Sequence, residues 1–446
     1  MEALYFLLGI GFQSIPFVAA FLAALFVIFF CLVTYSRPAS ALWFGGGAYF
    51  MKLLIGDGGF SLGLNLSVVD LYFMALSLTL GARLLTGKLA EGGSLMRAWL
   101  LIGCVWGLSF AVGLVKFKTA AGVEFRNSYY MLALMLYLLS FRLDAEQIRR
   151  AFNALYALAW ALIILALLRW AELAAGVPGY WYDRGTPLRV LTSGPTFVIA
   201  LAALPGLSMW MKLSAPRALQ QTLAPFMLLA VLVLGHRTVW IATLAGLGAA
   251  WWLAGRRRSG VRSGVMVPLL VGGLALGAVF VLAPKSAVTQ EFQRSVAETQ
   301  SQKSTLNWRF DSWQSLVKDW AASGPAVWPA GKPFGSGYRR YIETQRAETE
   351  ASAHSQYVSL LVRGGLLVLV AYVASYWIAV RRLLQHGAQA PGWLGADLPA
   401  VFLAACLVYS IAYSLDFMNM AFVGLAFVIA LQTRPQSPQA APTHKS

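Results

Sequence analysis

Long apolar runs recur along this chain, and they decide which folds are open to it. Each run holds roughly 15 to 30 residues, enough to cross a bilayer as a helix. Of all residues 59% are hydrophobic and 12% are charged, against about 25% charged in a soluble domain. Because hydrocarbon offers no partner to a backbone amide, such runs must be helical. The strands of a membrane β-barrel would alternate apolar and polar residues instead. The sequence therefore predicts an all-α, polytopic membrane helical bundle.

We expect about 12 to 14 transmembrane helices in this bundle. The predicted spans are residues 15–35, 38–55, 67–86, 96–115, 127–141, 148–175, 195–213, 221–235, 238–254, 265–283, 356–382, 396–414 and 417–432. An apolar segment at 2–12 either adds a short helix or extends the first span.

The spans divide the chain into four parts. Residues 1–283 hold the N-terminal transmembrane helices, and 284–354 form one large polar loop with short helices. Residues 355–432 hold the C-terminal transmembrane helices, and 433–446 form a tail that is predicted to be disordered. Most short loops rich in Lys and Arg fall on one side, which the positive-inside rule assigns to the cytoplasm. The large loop then faces the opposite compartment, which is the periplasm if the membrane is a bacterial inner membrane.

The net charge of +17 is explained by these loops, so we expect no nucleic acid partner. The three cysteines, Cys31, Cys104 and Cys406, lie in apolar segments without the spacing of a disulfide framework or a metal site. Neither an Asp-x-Asp pair nor a His/Cys cluster lies in the outward loops, so we expect no metal and no cofactor.

Insertion topology does not explain the arginines on the outward side. A guanidinium binds phosphate through two parallel hydrogen bonds, so an anionic partner at the membrane surface is the economical explanation. A pyrophosphate would need two or more such groups. The residues concerned are Arg184, Arg189, Arg237, Arg309, Arg339 and Arg340.

His354 ends the polar loop where the next apolar helix begins. The positive end of the helix dipole and the nearby arginines both disfavour imidazolium, so this histidine is suited to act as a general base on a hydroxyl. Alternatively, it is a cap or an interfacial polar residue without a chemical role.

The order of these residues resembles the O-antigen ligase family, which includes O-antigen and exopolysaccharide polymerases. Arg237 opens a mid-chain span, Arg309 follows about 70 residues later, and His354-Ser-x-Tyr357 opens a helix that contains a Gly-Gly pair. The resemblance covers roughly residues 189–427. One departure is His236-Arg237-Thr238, where polymerases often have Ser-Arg-Gly, and it leaves the subtype open.

The resemblance implies a helical glycosyltransferase of the C type that inverts the sugar and needs no metal. Its donor would be a glycan on undecaprenyl pyrophosphate at the periplasmic face, and the acceptor would be lipid A-core for a ligase or another glycan for a polymerase. It implies that Arg237 and Arg309 bind the donor pyrophosphate and that His354 is the catalytic base. Because of the Arg–Arg–His spacing we favour the ligase.

Further residues are candidates for substrate contact or for plain packing: Arg189, His236, Tyr338, Arg339 and Tyr357. Arg363 and Asp416 lie near or inside spans, where ionisable groups usually pair, and we predict that they pair with each other. Two other functions fit the hydropathy. A lipid-linked sugar transporter or flippase would place charges or broken helices near the midplane, and a non-catalytic scaffold would leave the outward arginines unexplained.

Overall fold

The structure is a computed structural model that describes residues 16–55, 67–88, 93–177, 189–210, 218–256, 289–290, 293, 305–343, 346–386 and 398–432. The predicted span 265–283, the predicted tail 433–446 and most of the first part of the polar loop lie outside the described residues.

The described residues form thirteen helices and one two-stranded antiparallel hairpin. In chain order the helices before the hairpin are α1 Pro16–Thr34, α2 Pro38–Ile55, α3 Val68–Leu85, α4 Gly93–Phe117, α5 Thr119–Leu139, α6 Ala145–Ala174, α7 Ser193–Trp210, α8 Ala218–Val233, α9 Arg237–Arg256 and α10 Thr305–Ala322. The hairpin and the helices after it are β1 Arg340–Ile342, β2 Ala347–Thr349, α11 Gln356–His386, α12 Leu398–Ala412 and α13 Phe417–Gln432.

The chain is an all-α polytopic membrane protein, as its hydropathy predicts. Among the described residues, four helices are long and apolar enough to cross a membrane: Val68–Leu85, Gly93–Phe117, Ala145–Ala174 and Gln356–Gln385. Five shorter apolar helices accompany them: Ala24–Thr34, Ser193–Leu207, Leu223–Val233, Leu398–Ala412 and Phe417–Gln432.

Helix α13 is the centre of the bundle. Every residue from Phe417 to Ala430 is buried, and the helix packs against α5, α11 and α12. A helix that is apolar all round is stable only when protein covers every side, so the neighbouring helices enclose it.

Basic side chains hold together the end of the bundle at which α3 and α11 finish. Arg83 donates hydrogen bonds to the carbonyl oxygens of Tyr35 at 2.7 Å and Ser140 at 2.9 Å. Arg382 donates to Ser94 Oγ at 3.2 Å. Arg83 thus joins the end of α3 to the segments after α1 and α5, and Arg382 joins the end of α11 to the start of α4. We call this end the basic face, and we call the opposite end, where α7, α9 and α11 begin, the site face.

Helix α11 is broken at Gly365, whose φ of 63° lies outside the helical region. The break frees backbone groups, and the turn at 327–333 binds them. Leu366 N donates to Trp328 O at 2.9 Å, and Lys332 N donates to Val362 O at 2.7 Å. A break at membrane depth is tolerated where protein satisfies the freed groups in this way.

Arg363, next to this break, forms its ion pair with Glu124 of α5. Asp416 instead accepts a hydrogen bond from the Tyr49 hydroxyl at 2.5 Å and one from Asn419 N at 2.8 Å, so that it caps α13. The predicted pairing of Arg363 with Asp416 is therefore wrong. The sequence indicates that each group needs a partner, but the partner comes from a helix distant in the chain.

Gly365→Ala is expected to lower the free energy of unfolding by about 1–3 kcal/mol. An alanine Cβ at this position would lie 2.4 Å from the Pro329 carbonyl carbon, and the backbone conformation itself disfavours any side chain. Thermal unfolding in detergent measures the effect. Gly107→Ala on α4 is the matched control, because open space surrounds it and alanine favours the helix. Equal melting temperatures for the two variants would contradict a glycine requirement at the break.

Candidate functional site

Helix α10 lies across the beginning of α11. Leu316 of α10 is buried with Ala353 and Val362 in a small apolar cluster. Trp313 Nε1 donates a hydrogen bond to Ala353 O at 2.7 Å. Phe310 of the same helix is 56% exposed. The packed side of α10 therefore comes from Trp313 and Leu316, and it covers the segment that carries His354.

His354 lies between β2 and α11 and is half-buried. Its φ of 48° is in the left-handed region, which is uncommon for a residue with a side chain. The Trp308 ring lies 5.6 Å from the imidazole, centroid to centroid, at an angle of 58°. Ser355 Oγ accepts from Val358 N at 3.5 Å and caps α11. The imidazole is thus fixed between an aromatic ring and the start of a helix.

The surroundings of His354 favour its neutral form. Burial lowers the pKa of this histidine from its ordinary value of about 6.5, and the positive charges of Arg309 and Arg340 lower it further. Near neutral pH the imidazole is therefore uncharged, with a free lone pair that can accept a proton.

Arg309, one of the two predicted pyrophosphate-binding residues, lies near His354. Its guanidinium carbon lies 4.5 Å from the centre of the Tyr413 ring. Its Nε is buried and has no hydrogen-bond partner among the described residues. Because a buried donor without a partner costs about 1–3 kcal/mol, such a group marks a place for an acceptor.

Arg237 is the first residue of α9 and follows His236. His236 Nε2 lies 2.8 Å from Leu191 O, an acceptor, so Nε2 carries the proton. Burial lowers the pKa of His236 to about 4, with a smaller effect from the positive charge of Arg189. A neutral His236 thus joins the start of α9 to the segment before α7, and the Arg189 side chain packs beside Gly235.

A row of side chains lies between these two groups of residues. Tyr413, under Arg309, stacks on Tyr409 with ring centroids 5.4 Å apart. The Tyr409 hydroxyl lies 3.1 Å from Ser193 Oγ, at the start of α7, two residues after Leu191. Arg309 is therefore close to His354, and Arg237 lies on the same face of the bundle beyond the start of α7.

The other candidate residues already have protein partners. Arg339 donates from Nε and Nη2 to Glu348 at 2.9 and 2.6 Å, on the exposed surface. The Tyr357 hydroxyl donates to Leu407 O at 2.9 Å within the bundle. The Tyr338 ring lies 4.4 Å from the guanidinium carbon of Arg363. Each of these three side chains therefore has a protein contact, and its role in substrate contact stays a prediction.

Arg340, which the sequence groups with the other outward arginines but not with the candidates for substrate contact, lies beside His354. It is 6% exposed, and its guanidinium donates to Ser312 Oγ, Tyr338 O, Ala351 O and Ser352 O. Adjacent strand residues point to opposite faces, so Arg339 faces outward while Arg340 faces inward. Recognition of this hairpin in the sequence would have shown which of the two arginines faces inward. Its three-residue strands are too short to give a recognisable alternation of apolar and polar residues.

Within the described residues no group of three or more His, Cys, Asp or Glu side chains is arranged to hold a metal ion.

Residues 222–373 match the sequence profile of the family described as O-antigen ligase. The matched region includes Arg237, Arg309 and His354, and it begins after Arg189. A search of curated proteins found no match.

Removal of the Arg309 charge is expected to raise the pKa of His354 towards the ordinary histidine value, because a nearby cation disfavours imidazolium. Arg309→Gln tests this by NMR titration of histidine labelled with ¹³C at Cε1. The chain has four histidines, so His354→Gln assigns the signal. Lys318→Gln is the matched control, since Lys318 is an exposed cation on the same helix. Equal shifts in the two variants would rule out a specific effect of Arg309.

Proposed function

Because residues 222–373 match the O-antigen ligase family, we propose that this chain transfers a glycan from undecaprenyl pyrophosphate to a sugar hydroxyl, most specifically to that of lipid A-core. The reaction takes place at the site face, and it inverts the configuration of the transferred sugar. The same site chemistry would serve a polymerase, whose acceptor is another glycan.

One observation carries the proposal: a neutral, half-buried imidazole lies beside an arginine whose buried Nε lacks a protein partner. A base that is uncharged at neutral pH can accept the proton of an alcohol. An unpaired guanidinium donor can bind a phosphate oxygen. The combination suits displacement of a phosphate leaving group by a hydroxyl.

The proposed step has a simple balance of bonds and charge. The acceptor oxygen forms a bond to the anomeric carbon while the bond from that carbon to the pyrophosphate oxygen breaks. The hydroxyl proton passes to His354, and the electron pair of the broken bond leaves with undecaprenyl pyrophosphate. Arg309, together with Arg237, stabilises the charge that develops on the leaving group.

The distribution of basic residues supports a location in a bacterial inner membrane with the site in the periplasm. Arg83 and Arg382 lie on the basic face, opposite to His354. The positive-inside rule assigns such a face to the cytoplasm. An undecaprenyl-linked donor in the outer leaflet would then meet the site from the membrane.

The break in α11 does not favour a transporter. Transporters use broken helices to line a substrate site at the midplane. Here Leu366 N and Leu367 N donate to the carbonyl oxygens of Trp328 and Pro329, so the break is filled by the turn after α10. The Arg309 Nε without a partner lies at the site face instead, where a transferase would act.

His354→Ala is expected to lower the rate of glycan transfer by about 10²–10⁴-fold, the usual contribution of a general base. Purified protein with lipid-linked donor and acceptor, in the presence of a metal chelator, measures the rate. Lys318→Gln should transfer at the rate of the unaltered chain. Full activity of His354→Ala, or a complete loss of transfer in chelator, would overturn the mechanism.

A deletion strain separates the two members of the family. If the chain is a ligase, polymer should persist on undecaprenyl pyrophosphate and be absent from lipid A-core. Loss of all polymer would contradict the ligase and indicate the polymerase.

A further inference from the structure

The three residues before His354 are held by side chains. The carbonyl oxygens of Ala351 and Ser352 accept from Arg340 at 2.7 and 3.4 Å. The carbonyl oxygen of Ala353 accepts from Trp313 Nε1 at 2.7 Å. Secondary structure usually satisfies consecutive carbonyl groups. Here two side chains take its place.

His354 needs such support because of its backbone. The left-handed backbone conformation of His354 costs roughly 1–2 kcal/mol of conformational free energy for any residue other than glycine. Such a conformation persists only when surrounding contacts hold it. Released from Arg340 and Trp313, the segment would relax to ordinary backbone angles and turn the imidazole away from Trp308.

Arg340 has the geometry for this task. A guanidinium presents five donors in a rigid plane, so one side chain can bind oxygens from several segments at once. Arg340 joins Ser312 of α10 at 2.8 Å, Tyr338 before β1 at 2.6 Å, and the segment before α11. A lysine has the charge but only a single nitrogen.

The charge of Arg340 is also left uncompensated. Among the described residues its hydrogen-bond acceptors are a hydroxyl and carbonyl groups, none of which is anionic. A buried cation without a carboxylate partner acts electrostatically on its neighbours, because few water molecules or counter-charges screen it.

We infer that Arg340 is the positioning residue of His354: it fixes the backbone of residues 351 and 352 so that the imidazole faces the site. The inference rests on the proposed function only in taking His354 as the base. The orientation of His354 depends on Arg340 whatever reaction the protein catalyses.

Arg340→Lys separates position from charge. It keeps the cation but loses the planar set of donors, so kcat for glycan transfer should fall about 100-fold, the effect of roughly a 1 Å displacement of a catalytic group. KM for the lipid-linked donor should not change, since Arg340 has no place in donor binding. A fall in kcat smaller than about threefold would overturn the positioning role.

Arg340→Ala adds a chemical test. The variant leaves a cavity of guanidinium shape, so millimolar guanidinium should restore part of the transfer rate, whereas equal concentrations of sodium or ammonium should not. Equal recovery with all three cations would exclude a geometric role and leave only a salt effect.

NMR keeps this test independent of the reaction. In Arg340→Lys the labelled Cε1 signal of His354 should shift, because the ring leaves Trp308, while the signal of His236 stays in place and reports an intact fold. An unchanged His354 signal in a folded variant would refute the inference even if transfer fails. A shifted signal without any transfer activity in the unaltered chain would refute the proposed function alone.

Discussion

Where a transmembrane helix breaks, its freed backbone N–H and C=O groups need other hydrogen-bond partners. In this chain the segment that supplies those partners also positions the site. The turn that fills the break in α11 through Trp328 and Pro329 follows α10 directly. Its last residues lead to the segment that binds Arg363. The turn after α10 and the loop before β1 are thus both attached to α11 near its break. The small apolar cluster of Leu316, Ala353 and Val362 and the contact of Arg309 with the Tyr413 ring add to this anchor.

Three arginines near this anchor illustrate how partners decide what one residue type does. Arg363 is 2% exposed and paired with Glu124, so its charge is neutralised and its role is to hold α5, α11 and the loop before β1 together. Arg340 binds neutral oxygens, so it shapes the backbone while its charge remains active. Arg309 rests on an aromatic ring with its Nε unused. The capacity to bind an anion therefore increases from Arg363 to Arg340 to Arg309.

The sequence was sufficient for the features that depend on composition and on local pattern. Hydropathy gave the helical membrane fold, and the outward arginines with His354 gave a set of candidates on one face. What it missed were contacts between residues distant in the chain, such as Arg363 with Glu124, which are separated by more than two hundred positions. It also named Arg339 rather than Arg340 as a candidate for substrate contact, because strands of three residues carry too little alternation to predict which of the two faces inward. The Gly364-Gly365 pair was noted only as part of a motif, and its physical reason, the close approach of Pro329, needs the fold.

Under the proposed function the site must solve an electrostatic conflict. Burial and the charges of Arg309 and Arg340 keep His354 uncharged, which preserves its lone pair but makes it a weak base. Of these two arginines, Arg309 is the one proposed to bind the pyrophosphate. When the anionic donor binds, its negative charge offsets Arg309, and the pKa of His354 should rise towards that of an ordinary histidine. The imidazole then becomes a stronger base only once the leaving group is in place. By linkage, protonation of His354 and binding of the donor favour each other, so the proton taken from the acceptor stabilises the product pyrophosphate in the same step.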